Sequence, residues 1–544
     1  MLTGLSVYGQ NFSIDKISGA RPLKLSGGLN LSGVFTHGLP NTIQSFNYFL
    51  SGNLNFNLYN AVNIPVFVNY SDRKISLSQG YSFNQVGLRP SYKWITAHIG
   101  TSAMTFSPYT LNGHQFTGGG LELTPNRWRI QVMGGRLLKG QYEDTLVTGP
   151  TFKRMGYGYR IEYKPDNFTI GTTLFKAYDV PGSVPEAYRK YHSNMINPHE
   201  NFILGFHAGA TLFSRLQVYA DYANSIITRD STAQEGRFSS LAGIVYKPKV
   251  AAESNHAFKA RLNYNIPSTQ TIVGLGYERI DPNYTTLGGY YFNNDLVNYT
   301  LNFSQRFAQG NYSLGGSFGF QKDDLKNTKA NGQTRFVANL NAAGKISETL
   351  DMSLMFSNFR SYKFLNDTYA QINRIPGEIV DTLNYSMVST TASYSMVQKL
   401  RQTEDRESSV NMNTTYMISQ NGYTVEKPEQ THIVNSTLGY TFNFTEKKTA
   451  LGLSVNYFRN AIPANLMTGV GPLLSLQKAF SDQFTLSAGL SAFKTDGTSS
   501  SVTYNSRLNG AWRINSHHRF NFNGAWVKTG MSYWNGNISY NYTF

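Results

Sequence analysis

Residues Trp534 to Phe544 read W-N-G-N-I-S-Y-N-Y-T-F. Trp534, Ile538, Tyr540, Tyr542 and Phe544 share one parity, with Gly536 its only non-apolar member. Asn535, Asn537, Ser539, Asn541 and Thr543 fill the other. Successive side chains of a strand point to opposite faces, so this alternation predicts a strand with one aromatic face and one small polar face.

The same pattern recurs from Leu23 onward. In 46–58, Phe46, Tyr48, Leu50, Leu54, Phe56 and Leu58 alternate with Asn and Ser, with Phe49 the exception. Stretches 312–320, 434–444 and 484–492 repeat it with Tyr, Leu and Phe against Ser, Thr, Asn and Gly. Pro, Gly, Asn and Asp gather between these stretches, as turn geometry favours. Short turns are expected near Pro125–Asn126, Pro165–Asn167, Pro267–Thr269, Ala308–Asn311, Ser347–Thr349, Thr445–Lys448, Ser481–Gln483 and Asn515–His518. Longer links are expected at 140–153, 179–200, 281–294, 323–332, 362–384, 419–431 and 460–468. The expected fold is all-β: a single large antiparallel transmembrane β-barrel over 22–544, with about 26 strands (24 to 28). Turn phase counted from the two ends disagrees, which places a misread strand in 240–295 and another in 59–114.

Composition agrees. Charged residues are 15% and aromatics 14%, with 36 Tyr, 35 Phe and 49 Gly; a soluble surface ordinarily carries roughly 25% charge. No run of 18 apolar residues exists, which excludes membrane-spanning helices, but an alternating strand averages to mild polarity and still spans. A soluble β-sandwich gives the same alternation and is the alternative fold. The chain has no cysteine, hence no disulfide or thiolate metal site. Its +16 net charge comes from scattered Lys and Arg without a basic run, so nucleic acid is not an expected partner.

The final strand resembles the C-terminal strand of bacterial outer-membrane β-barrels, which ends in Phe with an aromatic two residues earlier. That resemblance implies that Ile538, Tyr540, Tyr542 and Phe544 form the signal read by the barrel-assembly machinery. It also implies outer-membrane lipids, including lipopolysaccharide, as surroundings. The Tyr/Asn/Gly-rich strand style, the ending and the signal-like Tyr8-Gly9-Gln10 together resemble large porin-like barrels of Bacteroidota. Residues 1–9 read as a signal-peptide remnant, with Val7 and Gly9 at the −3 and −1 positions, or equally as a plain tail; 10–21 form an N-terminal segment. No plug domain of the TonB-dependent receptor kind is expected.

If the aromatic parity faces lipid, the opposite parity faces the lumen. This places Arg127, Arg129, Arg160, Lys164, Lys259, Arg261, Arg507 and Arg513 there, a basic set that would favour anions unless acids pair with it. Tyr92, Trp94, Trp526 and Trp534 suit interfacial girdles. The ten histidines are scattered, with no ligand spacing for a metal, no catalytic pairing and no phosphate loop. Neither an enzyme nor a cofactor is expected. His192 and His199 share a link, and Asp144-Thr145-Leu146 and Asp381-Thr382-Leu383 match a short glycosylation sequon of exported proteins.

Size narrows the function. Barrels of about 16 to 18 strands already leave an aqueous channel, so an unplugged one near 26 would breach the membrane. Its lumen must be flattened, narrowed by in-folded loops, or filled or capped by partner lipoproteins or other subunits. Two readings follow: a porin-like channel for hydrophilic solutes, anionic ones included, and a structural or translocon barrel binding a partner or an exported protein.

Overall fold

The computed structural model describes residues 21–38, 45–72, 84–142, 150–191, 194–236, 245–250, 252–290, 292–327, 334–364, 384–421, 430–462 and 465–544. The wall begins with β1 (Leu23–His37), β2 (Phe46–Leu58), β3 (Val62–Ser71), β4 in two pieces (Gln85–Leu88 and Ser91–Tyr92), β5 (Ile95–Thr105) and β6 (Asn112–Leu123). It continues with β7 (Trp128–Leu138), β8 (Arg154–Tyr163), β9 (Phe168–Asp179), β10 (Glu200–Leu212) and β11 (Leu216–Thr228). Next come β12 (Ala252–Ile266), β13 (Thr271–Ile280), β14 (Leu296–Phe307), β15 (Tyr312–Asp323), β16 (Thr334–Lys345) and β17 (Leu350–Phe364). Then follow β18 (Asn384–Gln402), β19 (Arg406–Asn421), β20 (Gln430–Phe444), β21 (Thr449–Ile462) and β22 (Asn465–Ala479). The wall ends with β23 (Phe484–Asp496), β24 (Ser501–Arg513), β25 (His518–Thr529) and β26 (Met531–Thr543).

Every strand pairs antiparallel with its sequence neighbour, and β26 pairs with β1 from Gly28↔Thr543 to His37↔Trp534. The wall is therefore a closed 26-strand barrel, the two pieces of β4 occupying one place between β3 and β5. The seam is completed by the Phe544 amide donating to the Gly27 carbonyl at 3.0 Å. Across it the Asn30 side-chain amide donates to Asn541 at 2.7 Å. A round barrel of this size would measure roughly 50 Å across its backbone, from strand spacing and tilt.

The sandwich alternative falls on burial. The apolar parity meets no second sheet; Leu31, Tyr48, Val132, Ile170, Leu275, Tyr299, Leu301, Leu354, Leu438, Leu453, Leu474 and Leu490 all stand exposed on the outer face. An apolar band running right around the wall far exceeds the few hundred Å² that soluble surfaces tolerate. Aromatic pairs mark its two rims. Trp128–Tyr163, Phe307–Tyr312 and Tyr542–Phe544 lie 4.8, 5.3 and 4.8 Å apart at one rim. At the other, Trp526 stands opposite Trp534 in register, and Tyr48 lies 5.9 Å from Tyr70. Trp94 sits in a short turn at the first rim, beside Tyr92.

All eight expected short turns lie on one rim, where Leu23 and Phe544 also sit. The phase conflict of the turns lies at three places. The turn at 59–61 bends through Tyr59 and Asn60, both at φ 52°. Pro65 sits inside β3 and Pro90 falls in the break of β4, so proline marks no strand end at either place. Between Thr228 and Ala252 no strand lies among the described residues. One expected link is corrected: β21 runs to Ile462 and β22 restarts at Asn465, so 460–468 is almost all strand. Near the seam the other rim also has tight connections. Gly530 alone joins β25 to β26 at φ 72°, a conformation glycine adopts without strain. The signal-like segment 1–9, most of 10–21, His192 and both three-residue sequons lie outside the described residues.

Candidate functional site

Two links on the rim opposite the termini turn into the barrel instead of away from it. One, residues 106–111, joins β5 to β6; the other, 281–295, joins β13 to β14, eight strands further round. They meet. The Tyr284 hydroxyl donates to the Tyr109 carbonyl at 2.8 Å and the Thr286 hydroxyl to the Thr110 carbonyl at 2.6 Å. The Asn112 amide donates to the Gly288 carbonyl at 2.8 Å, and the rings of His114 and Tyr290 stack at 4.2 Å.

An apolar core forms where they meet, inside a structure whose other apolar faces point outward. Phe106, Tyr109, Leu111, Tyr284 and Leu287 from the links pack with Phe116, Met133, Phe175, Ile203, Ala223, Ile227 and Ala257 from the inner wall. Burying such side chains stabilises the lock by roughly 2 kcal/mol each, an upper figure. Gly288 fits because it lacks a side chain: a Cβ there would lie 2.7 Å from Phe175 and 2.8 Å from the Thr110 carbonyl.

Polar wall residues pin the links. Asn201 is fully buried; its amide donates to Ser225 at 2.8 Å and its oxygen accepts the Leu287 amide at 3.1 Å. Ser225 in turn donates to the Thr285 carbonyl at 2.7 Å. Arg160 donates to the Phe106 carbonyl and to Glu162, whose carboxylate also meets His207 at 2.9 Å. The Tyr109 hydroxyl donates to Glu278 at 2.6 Å. Burial pushes the Tyr109 and Tyr284 phenols well above their ordinary range, so both stay protonated as donors.

The arc from β5 to β14 is thus both charged and filled. Most of its charges are paired: Arg154 with Asp179 at 2.8 Å, Lys259 with Glu278 at 3.1 Å, and Arg129 with Glu122 at 4.0 Å. Glu122 also meets Arg89 at 3.4 Å and the buried His98 at 2.8 Å, while the other His98 nitrogen lies 2.8 Å from the Ser102 hydroxyl. This Ser102–His98–Glu122 chain was hidden in the sequence. His98 and Ser102 come together through Gly100, at φ 85°, and Glu122 arrives from the neighbouring strand. With His98 enclosed and Glu122 clasped by arginines, the chain braces the wall.

The rest of the circumference differs. From β15 round to β3 the inward parity is dominated by Asn, Ser, Thr and Gly, tied across strands by their own side chains. Asn339 donates to Ser317 at 2.7 Å, Thr437 to Asn456 at 2.7 Å and Asn521 to Ser539 at 3.4 Å, while Ser393 and Thr415 lie 3.1 Å apart. Charges on this inward face lie toward the strand ends, as do Lys24, Asp351, Glu407 and Arg519. Among the described residues Arg507 is the one at mid-strand.

The eight expected lumen residues are thereby divided. Arg160 and Lys259 brace the lock, and Lys259 and Arg261 line one hollow of the wall. Arg129 faces Glu122. Arg127 and Lys164 belong to a short turn, where the Lys164 amide donates to the Arg127 carbonyl at 2.7 Å and Arg127 meets Asp166 at 3.6 Å. Arg513 donates to the Asp482 carbonyl at 3.1 Å at the same rim. No group of three or more His, Asp or Glu suited to a metal occurs among the described residues.

No protein-family model matches the chain, and no curated protein matches it. Among solved structures it is similar to the translocation pore of the P pilus usher PapC, at 11% identity over 96% of this chain and 99% of that one, TM-score 0.38. It is also similar to the copper transporter OprC, at 11% identity over 96% and 80%, TM-score 0.39. A third likeness is to OccK8 (OprE) of Pseudomonas aeruginosa, at 9% identity over 70% and 96%, TM-score 0.30. What those proteins carry is a property of those proteins.

Proposed function

We propose that this chain is an integral outer-membrane channel through which hydrophilic solutes pass along the neutral arc from β15 to β3. The observation that carries the reading is the division of the lumen. One arc is closed by the meeting of 106–111 with 281–295, and the other presents an inner wall of amides, hydroxyls and glycines beneath an apolar outer belt. The belt matches what a bilayer requires of a spanning barrel. The lock answers the size problem, since it narrows a barrel otherwise too wide to leave open. In this orientation the short-turn rim faces the periplasm and both in-folded links descend from outside. No catalytic chemistry is assigned to Ser102, His98 and Glu122.

A second reading is favoured by one observation: the inner wall of the neutral arc is lined by amides and hydroxyls, with charge mostly at the strand ends. A partner lipoprotein or an exported polypeptide would fit a wall that offers many hydrogen bonds and little charge. Purification in mild detergent, with liposome swelling in sugar solutions, separates the two. Swelling by the chain alone supports the channel. A stoichiometric partner and no swelling overturns it in favour of the partner-filled barrel.

A further inference from the structure

The inner wall of β12, β13 and β14 carries a hollow of about 340 Å³ below the lock. Gly276 makes it: a Cβ there would lie 2.3 Å from the Thr300 hydroxyl, so the absence of a side chain on β13 lets Thr300 lean over the gap. Its polar lining is dense, with Asn263, Asn298, Thr300 and Asn302 all facing the space.

The charges are unevenly matched. Glu278 accepts from the Tyr109 hydroxyl at 2.6 Å, from Lys259 at 3.1 Å and from Asn298 at 3.2 Å, so its carboxylate is fully engaged and offsets Lys259. Arg261 lines the same hollow and is exposed, and no described carboxylate lies within 4.0 Å of it. What remains is one guanidinium fork, suited to bidentate contact with an oxyanion, ringed by amides and a hydroxyl that both donate and accept. We infer that this hollow binds a hydroxyl-rich small anion of the acidic-sugar type, its carboxylate or phosphate on Arg261 and its hydroxyls on Asn263, Asn298, Thr300 and Asn302. The inference rests on the reading of the barrel as a channel for hydrophilic solutes, and gives that channel a resting place at its edge, beneath the lock on the strands that adjoin β15.

The test is equilibrium titration calorimetry on the full chain in detergent, with glucuronate, glucose 6-phosphate and glucose as probes. Ion conductance of the reconstituted chain is measured alongside. At least one anion should bind saturably, and glucose about tenfold or more weaker. Which anion binds decides between carboxylate and phosphate. Arg261→Gln should weaken the anion by about tenfold, the scale of one charge-assisted hydrogen bond. Gly276→Val, which intrudes on the hollow and displaces the Thr300 hydroxyl without altering charge, should weaken binding at least about tenfold while the protein keeps its anomalous mobility on unboiled gels. The absence of saturable anion binding, equal binding of glucose, or wild-type affinity in both variants overturns the proposal. Conductance without binding removes the subsite and leaves the channel; Arg261-dependent binding without conductance removes the channel and leaves the subsite.

Discussion

The Tyr284 hydroxyl donates to the Tyr109 backbone carbonyl at 2.8 Å, and with that bond two links 175 residues apart close across the inside of the barrel. Both tyrosines are 1% exposed, so the bond is sheltered from water. Tyr284→Phe should remove about 1 kcal/mol from the lock. Gly288→Val should do more, because its Cβ collides with Phe175 and backbone. Removing residues 283–293 should raise single-channel conductance roughly twofold, as the closed arc opens. Unchanged conductance would mean the links do not obstruct the lumen.

At the seam, Phe544 closes onto Gly27 and its ring lies 4.8 Å from Tyr542. Phe544→Ser should lower the amount of chain assembled in the membrane without lowering synthesis, read by fractionation. The assembled part should still run anomalously on unboiled gels. Full assembly of the variant would show that the closing strand carries no signal.

Arg507 stands at mid-strand on the neutral arc, where little else carries charge. If solutes pass there, Arg507→Glu should move the reversal potential in a salt gradient toward cation preference. Arg127→Glu, out in a short turn beside Asp166, should leave it almost unchanged.

The short turns carry exposed clasps of little energetic weight. Lys448 donates to Asp482 and holds that carboxyl below its ordinary range. A depressed carboxylate contributes stability above its ordinary pKa and loses it only as pH falls through the lowered value. Between pH 5 and 8 this pair should therefore add no pH dependence. Asp482→Asn should shift thermal unfolding by about a degree at most, as expected of a solvent-screened pair.

The wall was legible in the sequence because period-2 alternation is a local property. Phe46–Leu58 carries it residue by residue, and so does the closing strand. Turns such as Pro125–Asn126 were legible for the same reason. What stayed hidden depends on contacts between distant residues. Tyr284, Leu287 and Tyr290 are apolar or aromatic side chains in a link that water should surround, which was the available sign of in-folding. Nothing local says that their partner is Tyr109. Arg160 and Lys259 fall on the inner face as their parity predicts, and so does Glu162, two residues on from Arg160 in the same strand, whereas Glu278, the partner of Lys259, comes from the next strand. Parity predicts which face a charge occupies and which charges of its own strand share that face, and leaves its neighbours on other strands undetermined.

The most direct test of the channel reading is conductance of the purified chain, alone, in a planar bilayer. Steady stepwise currents that rise when residues 283–293 are removed are the predicted result. Silence from both forms, with a stoichiometric partner recovered from mild detergent, would contradict it.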